Sequence, residues 1–150
     1  VPVIMQNGPE WYRTLGTEMS PGTKVFAVAG KGRFSGVIEV EMGTSIKSIV
    51  EDIADGVKEG KKLKAVQMGG ASGSFITPEN LDVIVDYEEL SSRGIMMGSG
   101  GFIVIDETIC MVDLVRYYME FMHAESCGKC ILASNAMFKQ HFYFTTNKIA

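Results

Sequence analysis

Between Lys24 and Met68 the spacing of the apolar residues changes twice, and this restricts the available folds more than any other feature of the chain. Lys24 to Ala29 (KVFAVA) is an apolar run of strand length. A glycine-rich turn at Gly30 and Gly32 follows. Gly36 to Met42 (GVIEVEM) then alternates, with Val37, Glu39 and Glu41 on one face and Ile38, Val40 and Met42 on the other. Two such runs across a short turn predict a hairpin. The period then lengthens. Thr44 or Ser45 can cap a helix by accepting a hydrogen bond from a free N-terminal amide. Ile46, Ile49, Val50, Ile53 and Val57 recur at the spacing of one helical stripe. Leu63 to Met68 (LKAVQM) returns to strand character. A helix crossing from a second strand to a third lies on one face of the sheet, and the handedness of such crossovers leaves few topologies. The economical result is an α+β fold, a β-grasp (ubiquitin-like) mixed sheet gripping one helix, followed by a helical segment.

Residues 1–23, with Gly8, Pro9, Gly16, Pro21 and Gly22, read as a lead-in connector that Trp11, Tyr12 and Leu15 pin to a core. After Gly69-Gly70 and Gly73, a loop containing Pro78 leads to Leu81–Val85 and a polar turn, DYEEL. Phe102 to Ile105 is a short strand of buried type, expected to extend or flank the sheet. A second helix, capped by Asp106 or Thr108, carries Met111, Leu114, Val115, Tyr118 and Met122 on one stripe. Val112, Met119 and Phe121 widen that stripe, so this helix requires burial on more than one side. Cys110 reads as a small buried hydrophobe. The expected division is 1–23 connector, 24–105 sheet domain, 106–130 start of a helical domain and 131–150 an atypical tail.

The 150 residues are 46% hydrophobic and 21% charged, which suits one folded core and excludes general disorder. A net charge of -4, with no Lys/Arg stripe, argues against nucleic acid as a partner. No run approaches the roughly 20 apolar residues needed to span a bilayer, and the opening lacks the layout of a signal peptide, so the chain is expected in the cytoplasm without direct membrane insertion. Its first residue, Val1, suggests a piece of something longer.

The chemistry concentrates in ESCGKC. Three cysteines, two of them spaced Cys-x-x-Cys at Cys127 and Cys130, suit a reducing compartment and a metal or redox role better than a disulfide framework. The spacing alone leaves several readings open: two corners of an iron-sulfur cluster, half a zinc site, a redox dithiol, or two unliganded thiols. Ala124, Glu125 and Ser126 form a connection that lets Cys127 open a new helical turn, where outward amides and the neighbouring Lys129 favour a thiolate. His123 and His141 complete an H-x3-C-x2-C-x10-H pattern that admits a Cys2His2 zinc site. The pairs Glu88-Glu89 and Asp106-Glu107 read as solvated carboxylates in turns. GGASGS and GSGG lack the strand-to-helix context and spacing of a dinucleotide loop, and tight turns explain them better.

Five segments in order resemble one family: GTEMSPGTKVFAVAGK, EVEMGTSIKSIV, KKLKAVQMGGASG, GIMMGSGGFIVIDETICMVD and HAESCGKC. The family is the flavoprotein (NADH-binding, 51 kDa-type) subunit of NADH dehydrogenase and its relatives in NAD(P)-linked hydrogenases and formate dehydrogenases. The resemblance implies a β-grasp soluble ligand-binding domain and the start of an iron-sulfur domain, with Cys127 and Cys130 as the first two thiolate ligands of a [4Fe-4S] cluster. It further implies a parent protein that passes electrons from NADH to FMN to that cluster. FMN and NADH would bind a preceding flavin domain absent here, and the other subunits of an NADH-linked complex on the cytoplasmic side of a membrane would be partners. The family pattern continues with a proline, a third cysteine and an arginine. Here Ile131, Leu132, Ala133 and Ser134 follow, so Ala133 occupies the third-ligand position. The chain by itself is therefore expected to be inactive, the alternative being a non-catalytic β-grasp binding or assembly module. Residues 131–150, with no acidic side chain, read as non-native to the family or shifted in frame.

Overall fold

The alternation of Gly36 to Met42 takes shape as one arm of a hairpin. In the computed structural model, which describes residues 1–127 and residue 129, β1 (Thr23–Gly30) pairs antiparallel with β2 (Gly36–Glu41), from Thr23↔Glu41 to Val28↔Gly36. Val40 and Met42 are buried and Ile38 is half-buried, while Val37, Glu39 and Glu41 are exposed.

The helix after β2 begins as expected and ends early. Ser45 caps α3 (Ile46–Ser48), its hydroxyl accepting from the Ser48 amide at 3.0 Å. α3 runs into a π-helical segment, Ile49–Ile53, closed by the Ala54 amide donating to the Ile49 carbonyl at 2.8 Å. A π turn holds more residues than the 3.6 assumed by the stripe. Ile46, Ile49 and Val50 are accordingly buried, but Ile53 is 36% exposed. Asp55 and Gly56, at φ of 55° and 64°, turn the chain out of the helix. Val57, expected on the stripe, instead bridges Gly32 beside the β1–β2 turn.

β3 (Leu63–Met68), β4 (Ser74–Ile76) and β5 (Gly101–Asp106) complete a five-stranded sheet of order β2-β1-β5-β3-β4. β5 runs parallel to β1 and antiparallel to β3, which also pairs antiparallel with β4. The fold is thus α+β with a mixed sheet. β5, expected to extend or flank the sheet, lies at its centre. Phe102 and Val104 are buried from one face and Ile105 from the other, as a strand covered on both sides requires. Phe26 of β1 and Phe102 of β5 meet edge-on, with ring centroids 5.7 Å apart, in a core that includes Ile46, Ile49, Val50, Val66 and Met68.

Helices stand where connectors were expected, as does β4, with a 3-10 turn at Pro78–Asn80, in the expected loop after Gly73. α1 (Pro2–Asn7) and α2 (Pro9–Arg13) each start at a proline, whose fixed φ suits the first helical position, and neither buries a residue. The DYEEL segment forms α4 (Tyr87–Ser92) rather than a turn, because Asp86 caps it.

Residues Val1–Glu107 and Thr108–Ala150 are separate compact units. In the second, α5 (Met111–Glu125) starts from Cys110 with no side-chain cap, not from Asp106 or Thr108. Asp106 ends β5 and is buried, so Asp106-Glu107 is not a solvated pair. Cys110 is exposed, contrary to its reading as a buried hydrophobe: at the N-cap it precedes the first helical turn and stays off the apolar arc. Tyr118 is buried, whereas Val112, Tyr117 and Phe121 are exposed.

Candidate functional site

The thiol segment begins where α5 stops. Ser126 caps the helix, its amide donating to the His123 carbonyl at 3.3 Å, and Cys127 follows, exposed. Lys129 is exposed as well. Cys127 therefore stands just past a helix C-terminus. Whether a new turn opens from it involves Cys130 and later positions, which lie outside the described residues, as does His141 of the zinc alternative. Cys110 lies at the opposite end of α5: the helix's 15 residues, rising 1.5 Å each, put about 22 Å between its ends. That distance keeps Cys110 out of any cluster held at Cys127. Among the described residues no three His, Cys, Asp or Glu side chains gather closely enough to hold a metal.

The fold brings together the two glycine-rich loops at the end of the sheet where β3 leaves and β5 enters. The Gly69 amide donates to the Gly101 carbonyl at 3.4 Å, and the buried Gln67 side chain donates to the Gly70 carbonyl. A Cβ on Gly98 would lie 2.9 Å from the Gly69 Cα. Lys24 reaches across from β1 to donate to the Gly98 carbonyl at 3.3 Å. These glycines permit close backbone approach between loops.

Beside this junction α4 and residues 94–98 enclose a groove of about 630 Å³, lined by Tyr87, Glu88, Ser91, Ile95, Met96 and Met97 among others. Its volume is that of a small-ligand site. Tyr87 and Met96 are exposed, at 55% and 61%, and Glu88 lies in the first turn of α4. The α4 wall is held by Asp86, a buried carboxylate. One of its oxygens accepts from the Glu88 and Glu89 amides at 2.9 and 3.1 Å, and the other accepts from the Thr17 hydroxyl. The Thr17 hydroxyl, then the Glu89 amide, hold its carboxyl below the usual aspartate range. Burial opposes them, and the Glu88 amide and Ser20 add to them. Nothing in the sequence reading anticipated this groove. Its signal was the D-x-x-E spacing of Asp86 and Glu89, the signature of a helix N-terminus.

No protein-family model matches the chain. Over 130 residues it is 47% identical to the HndC subunit of the NADP-reducing hydrogenase of Solidesulfovibrio fructosivorans, a stretch making up 87% of this chain and 26% of that protein. An NADH-quinone oxidoreductase subunit of Escherichia coli (strain K12) is 38% identical over 130 residues, 87% of this chain and 29% of its own length. The chain belongs to the family of flavoprotein subunits of NADH dehydrogenases and NAD(P)-reducing hydrogenases. A solved structure of an NAD+-reducing [NiFe]-hydrogenase in the air-oxidized state superposes with a TM-score of 0.79 at 28% identity, over 95% of this chain and 24% of that one. The chain thus spans between a quarter and a third of the length of these curated relatives.

Membership of this flavoprotein family implies flavin and iron-sulfur cofactors in the family at large. A cubane cluster takes four ligands, normally thiolates. The chain has three cysteines, and Cys110 is too far from Cys127 to join it. Its cysteines alone do not supply the four thiolates of such a cluster. Among the described residues no helix is long and apolar enough to cross a membrane.

Proposed function

We propose that the chain is part of an NADH-oxidising electron-transfer flavoprotein subunit, in which it supplies structure and two cluster ligands rather than the flavin site. The observation that carries this reading is the identity of 47% and 38%, over 130 residues each, with subunits named for NADP reduction and NADH-quinone oxidoreduction. Residues 24–105 act as a β-grasp module, a reading supported by the sheet order β2-β1-β5-β3-β4 with its single helix between β2 and β3. Residues 106–130 begin the iron-sulfur domain, and Cys127 and Cys130 serve as two thiolates of a [4Fe-4S] cluster whose other ligands come from elsewhere. FMN and NADH bind a domain outside these residues. The partners are that domain and other subunits of an NADH-linked complex, working on the cytoplasmic side of a membrane.

Anaerobic reconstitution with iron and sulfide, followed by iron analysis and visible absorption, tests the ligand assignment on wild type and Cys127→Ser. Iron bound with cluster absorption in wild type and lost in Cys127→Ser is the expected result once a partner completes the site. Equal iron in both proteins refutes the role of Cys127. A second reading, a non-catalytic binding or assembly module, is favoured by the 630 Å³ groove on α4. It predicts ligand- or partner-induced protection of residues 87–98 with no dependence on either thiol.

A further inference from the structure

We infer that residues 14–22 form a strap that couples the two N-terminal helices to the α4 wall of the groove, with Asp86 as the joint. This inference rests on the geometry of the sheet unit alone and is independent of the electron-transfer reading.

The strap is fastened at both ends. At its origin, the Tyr12 ring lies against Gly22, where an added Cβ would fall 2.5 Å from the ring, and the Tyr12 hydroxyl accepts from the Thr23 amide at 3.0 Å. The Gly22 amide donates to the Leu15 carbonyl at 2.7 Å, which closes the loop of the strap, and Gly16 bridges Pro21 across it. At its far end, the Thr17 hydroxyl donates to Asp86 and accepts from the Ser20 amide at 2.8 Å. The hydroxyl of Ser20, itself buried, accepts from the Tyr87 amide at 3.1 Å, and Tyr87 is the first residue of α4.

A carboxylate has acceptor positions on both oxygens. Asp86 commits one oxygen to the free amides at the start of α4 and the other to Thr17. Rotating the carboxylate to release the helix therefore breaks the strap, and withdrawing the strap removes an acceptor-orienting partner from the helix cap. The two helices upstream bury no residue fully; Ile4 and Trp11 line a shallow groove with Glu39 and Val40 of the hairpin, and Tyr12 ties the helices to the strap. Displacement of α1 and α2 is transmitted through Thr17 and Ser20 to Tyr87, Glu88 and Ser91, which face the groove. The device links the state of the N-terminal segment to the width of the groove.

Hydrogen exchange of the full chain, resolved by residue, tests the coupling. Thr17→Val keeps the methyl that packs beside Gly43 and removes the hydroxyl. It is expected to speed exchange at Glu88, Glu89, Gly94 and Ile95 about tenfold, as loss of one hydrogen bond to a charged group implies, with β1 and β3 unchanged. Thr17→Ser should restore the wild-type rates. Tyr12→Phe should speed the same amides in the wild-type background and add nothing in the Thr17→Val background. Unchanged rates at 88–95 in Thr17→Val, acceleration spread equally through β1 and β3, or additive effects of the two substitutions would each overturn the inference. Should Thr17→Val not fold, Tyr12→Phe alone decides: faster exchange at 88–95 with β1 and β3 unchanged upholds the strap, and any other pattern rejects it.

Discussion

Gly69 and Gly70 are adjacent and share a backbone conformation, at φ of 88° and 79°, but their surroundings differ completely. A Cβ on Gly70 would meet nothing within 4 Å. One on Gly69 would fall against the Met96 carbonyl oxygen, and 3.3 Å from the Gly73 Cα. Alanine in a left-handed conformation costs about 1–2 kcal/mol, and the stiffer unfolded chain returns about 0.4–1 kcal/mol. Gly70→Ala should therefore destabilise by about 1 kcal/mol. Gly69→Ala carries that same conformational cost plus the displacement of backbone atoms in the facing loop, of the order of 1–3 kcal/mol, or about 3 kcal/mol in all. Urea unfolding followed by far-ultraviolet circular dichroism measures both. The gap of about 2 kcal/mol corresponds to midpoints separated by about 1 M at the slopes usual for small proteins. Equal costs for the two substitutions would refute the close approach of Gly69 to the Met96 carbonyl and the structural reading of the GGASGS cluster.

Asp86→Ala should cost about 1–2 kcal/mol at neutral pH, the worth of a helix N-cap. Because the folded-state carboxyl lies below its ordinary value of 3.8, this contribution is complete above that value and lost as pH falls through the folded-state value. The gap between wild type and variant should close on acidification, and a gap independent of pH would contradict the assignment. Phe102→Ala, which removes a fully buried ring and its edge-on contact with Phe26, should cost about 3–5 kcal/mol in the same unfolding assay. Arg33→Ala should change stability by less than about 0.5 kcal/mol, since its 3.5 Å pairing with Asp55 is exposed on both sides. Replacing Cys127 and Cys130 together by alanine should leave the circular dichroism of the sheet unit intact, and loss of its fold would show that the two units are not independent.

The hairpin and α3 were legible because each buries one face, so the apolar period directly encodes the element; β3, buried on both faces from Ala65 to Met68, was legible as a short and mostly apolar run. Legibility failed where geometry departed from the ideal period. Ile53 fits the i, i+3, i+4 stripe on paper, yet the π turn from Ile49 carries it to the surface. β5 was recognised as a buried strand but misplaced, since an apolar run on both faces reveals burial and not rank in the sheet. β4 is only three residues long and carries no period of its own. α4 had its capping spacing in plain view, but the acidic residues after Asp86 outweighed it as a sign of a turn.

The candidate site divides along the same line. Cysteine spacing is a local property, so Cys127 and Cys130 stand out in any reading of the chain, although two thiols specify only part of a ligand set. The groove on α4 is lined by one stretch, residues 87–98, but the carboxylate that caps its α4 wall, Asp86, is held by Thr17 across 69 positions of sequence. No pattern within α4 or within residues 94–98 contains that contact. Sequence therefore exposes the chemistry that a segment carries, whereas the support that a distant segment lends to a helix cap through a buried carboxylate becomes visible only once the hydrogen bonds are known.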